Sequence, residues 1–345
     1  MLKVARLDPD DRRQAAAWDG FVGTCPDATF FHRAGWQRVL RDVFGHDGQF
    51  LYVEEEGRLR GVLPLAHMKS MLFGSSLVSL PFAVYGGVAA ADEAAAAALE
   101  AEADRIARRL GVSHLELRHV RQRHADWPSQ DLYVTFRKEI LADEEANMLA
   151  IPRKQRAMVR KGIKNGLASA VDAGVERFFP LYADNMHRHG TPALPRRYFE
   201  RLLVEFGADC EVLTVADARG RPLSSVLSFY FRDEVLPYYA GDDESARELA
   251  ANDFKYWELM RRACARGLKV FDYGRSKQGT GSFSFKKNWG FEPQPLHYEF
   301  CLYKRDAVPQ NNPANPKYKL LIAAWRRMPA PLATFLGPFV VRSLG

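Results

Sequence analysis

Apolar and polar positions run through one order twice along this chain. A short stretch at residues 3–7 predicts a strand, and helical spacing follows at 12–22 and 34–44. Residues 50–54 and 58–68 alternate as a hairpin across Glu55-Glu56-Gly57, and 79–87 predicts a strand and tight turn. An alanine-rich helix is expected from Asp92, a plausible N-cap, to Leu110, where Gly111 stops it, and 112–118 is the next strand. The second half predicts helices at 175–188 and 195–206, strands at 211–216, 223–231 and 235–241, a helix at 252–266 and a strand at 269–273. Residues carry the echo as well: Gly57-Arg58-Leu59 answers to Gly220-Arg221-Pro222, Tyr85-Gly86-Gly87 to Tyr239-Ala240-Gly241, and Gly111…Arg118 to Gly267…Arg275. A repeat this long is a domain, not a solenoid unit. The pattern predicts an α/β (α+β) fold of two tandem domains, each a mixed sheet flanked by helices, over 1–142 and 143–308, with a linker and tail over 309–345.

Composition fits a soluble globular chain: 47% hydrophobic and 26% charged residues in 345. The net charge of +7 is unevenly placed. Residues 146–171 hold six basic side chains and no acidic one, and 317–345 hold five and none. Arg153, Arg156, Arg160 and Lys164 recur at steps of three, four and four, which puts them on one face of a helix that Pro152 can begin. Such a face suits phosphate groups, whether of a nucleotide-linked precursor or of RNA; the alternative is a solvated connecting helix. The tail mixes Lys317, Lys319, Arg326 and Arg327 with Leu320, Leu321, Ile322 and Trp325, a composition for either a membrane surface or a packed C-terminal helix. No stretch is long and apolar enough to span a bilayer and the N-terminus has no apolar signal core, so a cytoplasmic protein, peripheral at most on the inner membrane, is expected. Four scattered cysteines predict free thiols. Neither a metal site nor a cofactor is expected, since Asn185 and His187 find no third ligand at metal spacing.

Candidate chemistry concentrates at 270–291. An apolar strand ends in Asp272-Tyr273-Gly274-Arg275-Ser276, a Gly/Ser/Thr loop follows, and Phe285-Lys286-Lys287 opens a short aromatic-basic segment. Glycines let backbone approach a ligand, and a helix start offers free N–H groups. Lys286 could stabilise negative charge on a carbonyl oxygen, or else face solvent with Lys287 on a helix around a buried Phe285 and Trp289. Asp272 could take or orient an amine's proton, or else pair with Arg275 or cap the turn. Tyr273 could donate a hydrogen bond or simply pack. Tyr85, Tyr238 and Tyr239 stand at matching strand ends and could line a cleft or belong to the core. No Gly-x-Ser-x-Gly elbow is present, which argues against a serine hydrolase.

Three stretches, 151–164 (IPRKQRAMVRKGIK), 251–260 (ANDFKYWELM) and 270–291, with Phe73-Gly74 and Gly190-Thr191-Pro192 besides, resemble the FemAB-related proteins associated with the exosortase/PEP-CTERM system. The resemblance implies two GNAT-like domains and an acyltransferase of EC class 2.3, moving an activated acyl or aminoacyl group to an amine of a cell-envelope or exopolysaccharide-related acceptor. It implies an aminoacyl-tRNA or acyl thioester donor and a phosphate-bearing acceptor. Phe285-Lys286 is similar to the pair such proteins use at the transfer centre, and the loop holding His187 and Thr191 would border the acceptor. The chain departs from relatives that insert a coiled-coil arm, a proposed tRNA contact. Where CoA-using GNAT enzymes carry a glycine-rich pyrophosphate loop, residues 241–249 read GDDESAREL, whose acids repel phosphate. Other activities left open are acyl-CoA- or acyl-carrier-dependent N-acylation and a catalytically silent scaffold.

Overall fold

The computed structural model describes residues 1–70, 74–309 and 316–343, with side chains of 316–320 left aside. Phe73 of the Phe73-Gly74 pair and most of the expected 309–316 linker lie outside the described residues.

The first domain runs β1 (Lys3–Arg6), α1 (Arg12–Thr24), α2 (Gly35–Phe44), β2 (Asp47–Glu55), β3 (Arg58–Ser70), β4 (Gly74–Ser79), β5 (Ala89–Ala90), α3 (Glu93–Leu110), β6 (His114–His119) and β7 (Ser129–Gln130). The second begins with β8 (Tyr133–Glu139), α4 (Glu144–Ala150), α5 (Arg153–Lys164), β9 (Ala168–Asp172), α6 (Phe178–His189) and α7 (Arg196–Phe206). It continues with β10 (Cys210–Ala216), β11 (Pro222–Phe231), β12 (Glu234–Asp242), α8 (Ala246–Leu249), α9 (Ala251–Ala265), β13 (Val270–Asp272), β14 (Ser276–Lys277), α10 (Gly281–Asn288) and β15 (Pro293–Pro295). Then come β16 (His297–Leu302), α11 (Pro316–Arg327) and α12 (Ala330–Val341).

Local chemistry places these elements. Asp11 caps α1, and the Asp92 carboxylate accepts the Ala95 N–H at the start of α3. Gly45 and Gly111 end α2 and α3 in the left-handed region. Helix α2 buries Trp36, Val39, Leu40 and Val43, one face at helical spacing. Strand β11 is buried almost throughout, as a central strand covered on both faces must be.

The sheet orders show what the repeat means. One sheet runs β1-β2-β3-β4-β6-β16-β7 and the other β9-β10-β11-β12-β13-β8-β14, with β5 and β15 added at the side. The first six strands correspond one to one. In each sheet the fourth and fifth are parallel (β4 with β6, β12 with β13) and the remaining pairs of those six are antiparallel. The sixth strand of each comes from an unexpected place. Strand β8 lies before the expected boundary at 142/143 yet pairs with β13, and β16 follows the second domain yet pairs with β6. The first unit therefore takes Met1–Leu132 and the stretch from Pro295, and the second takes Tyr133–Gln294 and the C-terminal helices. The 1–142 and 143–308 limits are corrected on that ground: a strand belongs to the sheet that satisfies its backbone groups. A second correction concerns 79–87. The strand there is β4, ending at Ser79, and the residues after it are a loop.

Candidate active site

The second domain contains an opening in its sheet. Parallel β12 and β13 pair at two positions, Glu234 with Val270 and Val235 with Phe271. Strand β12 then runs on to Asp242, bulged at Tyr238, where its register against β11 shifts between Leu227 and Ser228. Among the described residues no strand pairs with that side of β12 beyond Val235. The edge offers backbone N–H and C=O groups on one side of a wedge, with the Asp272–Ser276 turn on the other. The equivalent place in the first domain is closed. There Gly86 and Gly87 donate to Arg118 O at 3.2 and 2.9 Å, and Arg118 Nη1 donates to Leu80 O and Ala83 O at 3.0 and 2.6 Å. Tyr85 is buried in this plug against Phe31, which answers its expected role at a ligand site with a core position.

Asp272, fully buried, accepts from Thr135 Oγ1 at 3.2 Å, Arg137 Nη1 at 2.7 Å and the Gly274 N–H at 2.7 Å. Its carboxylate caps the turn that Gly274, at φ +64°, makes possible. The general-base assignment is therefore corrected: these three bonds occupy the carboxylate in holding the turn and Arg137. Arg137 bridges to Glu234 at 2.6 Å, and burial raises that glutamate's pKa against the pull of the guanidinium.

Lys286 is 8% exposed, and its Nζ donates to the carbonyls of Tyr273, Gly274 and Arg275 at 2.7, 2.9 and 3.1 Å. An ammonium has three protons, so none is left for a substrate oxyanion while this cage holds. Direct oxyanion stabilisation is corrected to a bracing role: Lys286 ties helix α10 to the turn lining the wedge. Burial pushes its pKa down to about 7; Asp272's charge opposes that and Arg275's adds to it. Phe285 likewise packs rather than presents. Its ring meets Tyr256, Tyr273 and Trp289. Thr280 caps α10, and Trp289 Nε1 bonds Asp253 Oδ1 on α9 at 3.0 Å.

Two groups on this turn have hydrogen-bonding capacity to spare. The Tyr273 hydroxyl and the Ser276 Oγ are buried and have no hydrogen-bond partner among the described residues. Tyr273 sits among Tyr256, Phe271, Phe285, Trp289 and Phe291, and burial among these rings raises its pKa well above the ordinary value. Arg275 lays its guanidinium over Tyr133 at 4.7 Å. On β12, the Tyr238 ring lies tilted against Phe229, and Tyr239 bonds the Tyr198 hydroxyl at 2.9 Å within an aromatic group that includes Tyr182 and Phe199.

Helix α5 turns Gln155, Val159 and Gly162 inward and packs on α9, where Gly162 faces the Phe254 ring. Arg153, Arg160 and Lys164 are exposed. Arg156 is half-buried, with its Nε lacking a hydrogen-bond partner among the described residues. The acidic stretch after β12 is engaged internally. Asp242 binds the buried Lys255 at 2.9 Å, and Asp243 accepts from the Ser245 N–H at 2.9 Å, with Arg221 at 3.7 Å. A pyrophosphate would have to displace these carboxylates from the N-terminal side of α9. His187 bonds Met328 O at 2.9 Å, and the Thr191 N–H bonds Met186 O at 2.9 Å, so their loop is a seat for α11 and α12. This replaces the expected acceptor-lining role of His187 and Thr191.

The layout of both sheets is that of two tandem GNAT-like domains, α/β in class, and known proteins agree. A family model described as an acetyltransferase (GNAT) domain matches residues 153–287, from α5 into α10. Over 137 residues, 38% of this chain, there is 26% identity to the UDP-N-acetylmuramoylpentapeptide-lysine N(6)-alanyltransferase of Weissella viridescens, and the match spans 40% of that enzyme. The crystal structure of FemX superimposes with a TM-score of 0.68 at 15% identity, covering 93% of this chain and 100% of the other. The C-terminal domain (DUF2156) of a putative lysylphosphatidylglycerol synthetase from Agrobacterium fabrum gives 0.57 at 13%, covering 90% and 95%. A tandem GNAT protein from the clavulanic acid biosynthesis pathway gives 0.55 at 14%, covering 90% and 100%.

Proposed function

We propose that the chain is an aminoacyltransferase of Fem type, joining an activated aminoacyl group to an amine on a peptidoglycan-precursor-like acceptor. One observation carries the reading: the matched segment 153–287 contains both the basic face of α5 and the wedge between β12 and β13. An alanyltransferase that acts on a nucleotide-linked muramoyl pentapeptide favours a cell-wall acceptor over an exopolysaccharide one. The acceptor's phosphates meet Arg153, Arg156, Arg160 and Lys164, and the acyl group lies along the free edge of β12. The acceptor amine attacks the ester carbonyl carbon, the bond to the donor's ribose oxygen breaks, and the amine's proton ends on that leaving oxygen. Tyr273, kept protonated by burial, supplies a hydrogen bond to the oxygen that gains charge, while Asp272 and Lys286 hold its backbone in place. The internally paired 242–245 segment favours aminoacyl-tRNA over a CoA thioester as donor.

Purified protein offered both donors with a UDP-linked muramoyl pentapeptide tests this by mass spectrometry. Aminoacyl transfer from tRNA, reduced at least tenfold in Tyr273→Phe, is expected; turnover with acyl-CoA alone sinks the donor assignment. A peripheral membrane contact is proposed for α12, whose Phe335 and Phe339 are 66% and 64% exposed beside Leu332. No helix among the described residues is long and apolar enough to cross a membrane. Flotation with anionic liposomes should retain the protein and lose the variant Phe335→Ser/Phe339→Ser.

A further inference from the structure

The first domain holds a cluster of chemistry-bearing side chains that the proposed reaction does not use. His119 ends β6, His124 follows in the next loop, Glu100 comes from α3 and Glu299 from β16. Glu299 is fully buried, and it accepts the Arg123 N–H at 2.8 Å, the His124 N–H at 3.2 Å and His124 Nδ1 at 2.8 Å. Three donors converge on this carboxylate, one of them the Nδ1 side of the His124 ring. The opposite ring nitrogen, His124 Nε2, faces Glu100 Oε2 at 3.4 Å. Trp127 stacks on the His124 ring at 4.0 Å and 14°, which holds the ring's plane. Arg123 holds the other oxygen of Glu100 through Nε at 2.7 Å and reaches Oε2 itself through Nη2 at 3.5 Å, which fixes that carboxylate's direction.

His119 is 2% exposed, and its Nε2 has no hydrogen-bond partner among the described residues, the nearest charge being Glu299 Oε2 at 3.7 Å. Gly87 backs the Nδ1 side of the ring, where a side chain would collide. Leaving a buried imidazole nitrogen unmet is costly. One ligand atom from each of Glu100, His119 and His124 lies within 4.8 Å of the others.

We propose that Glu100, His119 and His124 bind a zinc-class divalent cation, with Glu299 as the carboxylate that orients His124. Two imidazoles and one carboxylate suit Zn(II) or Co(II) rather than Mg(II) or Ca(II), which prefer all-oxygen shells. With bonds of about 2.0–2.1 Å, tetrahedral ligand atoms stand roughly 3.3–3.4 Å apart, the separation of His124 Nε2 from Glu100 Oε2. A carboxylate hydrogen-bonded to the far nitrogen of a ligating histidine is the arrangement that sets the tautomer in zinc sites. The metal-free alternative is a direct hydrogen bond between His124 and Glu100. That reading requires a separation of about 2.7–2.9 Å, shorter than the 3.4 Å observed, and leaves His119 Nε2 unexplained. Bound metal would link α3, β6 and the following loop, and Glu299 would join β16 to that link through His124.

The test uses the full chain stripped with EDTA and dialysed free of chelator. Titration with Co(II) should give visible bands stronger than those of aqueous Co(II), saturating at one equivalent and bleached by Zn(II). Calorimetry with Zn(II) should show one site. His119→Gln should weaken Zn(II) at least 100-fold while its melting temperature in EDTA stays near that of the wild type. Glu299→Gln, with both imidazoles kept, should weaken it roughly 10- to 100-fold. Absence of Co(II) bands and of Zn(II) heat in the wild type overturns the proposal, as does Zn(II) uptake unchanged in both His119→Gln and Glu100→Gln. Should a variant fail to fold, the wild-type Co(II) spectrum still decides.

Discussion

Lys286 shows how one residue's chemistry changes once its neighbours are known. Its sequence context suggests a cation aimed at substrate; its bonds show a cation spent on three carbonyls. Because its folded pKa lies near 7 and its unfolded one near about 10.4, the unfolded chain binds the extra proton between those values. This residue's contribution to stability therefore rises with pH across that window, by up to about 1.4 kcal/mol per pH unit, and is flat below it. Urea unfolding at pH 7 and 9 should show that slope in the wild type and lose it in Lys286→Met; equal slopes in both would place the titration elsewhere. Asp272→Ala takes one of two carboxylates from Arg137 and removes the acceptor of the buried Gly274 N–H, and should cost about 3 kcal/mol, read from denaturation midpoints. A cost below about 1 kcal/mol would mean that the turn does not depend on it. Tyr273 and Ser276, by contrast, have polar atoms with no hydrogen-bond partner among the described residues, a distinction that residue type alone does not carry.

At the scale of elements, α5 joins both halves of the functional reading. Its inward stripe Gln155, Val159, Gly162 seats it on α9, and this leaves Arg153, Arg160 and Lys164 facing solvent. A Cβ at Gly162 would stand 2.8 Å from Phe254 Cβ. Alanine gains about 1 kcal/mol of helix propensity there but overpacks the contact by about 1–3 kcal/mol, so Gly162→Ala should be destabilising on balance. A higher melting temperature in that variant would show that α5 yields easily. Charge reversal at Arg160 is a surface change that should leave the melting temperature alone while weakening binding of a UDP-linked acceptor severalfold, more at low salt than at high salt. Salt-independent loss would point to a structural effect instead.

At the scale of the whole molecule, each domain's sixth strand lies outside the half of the chain that the repeat assigns to it. Strand β16 buries Tyr298, Glu299 and Phe300 in the first unit, although more than 150 residues of the second unit precede it. A fragment of residues 1–132 should therefore lack cooperative unfolding by circular dichroism, since β6 keeps β4 but loses its partner on the other side. Joining 295–309 to it by a Gly/Ser linker should restore a sharp transition. A cooperative melt from 1–132 alone would show that β16 is dispensable.

Periodicity, caps and glycine stops are properties of neighbours in sequence, so the sequence by itself determined the α/β class, the duplicated order and most element positions, α3 from Asp92 to Gly111 among them. It also singled out α5 and the stretch around Val270–Asp272 as candidate places for chemistry, both of which fall within the longer 153–287 GNAT match. Tertiary structure decided what depends on residues distant in sequence. Which sheet β8 and β16 complete is set by hydrogen bonds to β13 and β6, and nothing local in those strands encodes the partner. Whether Asp272, Phe285 and Lys286 face a substrate or the protein was decided by Arg137, Tyr256 and the 273–275 carbonyls. The same holds for Glu100, His119, His124 and Glu299. They are spread over 200 residues, so no spacing rule finds them, and folding alone gathers their side chains around one point.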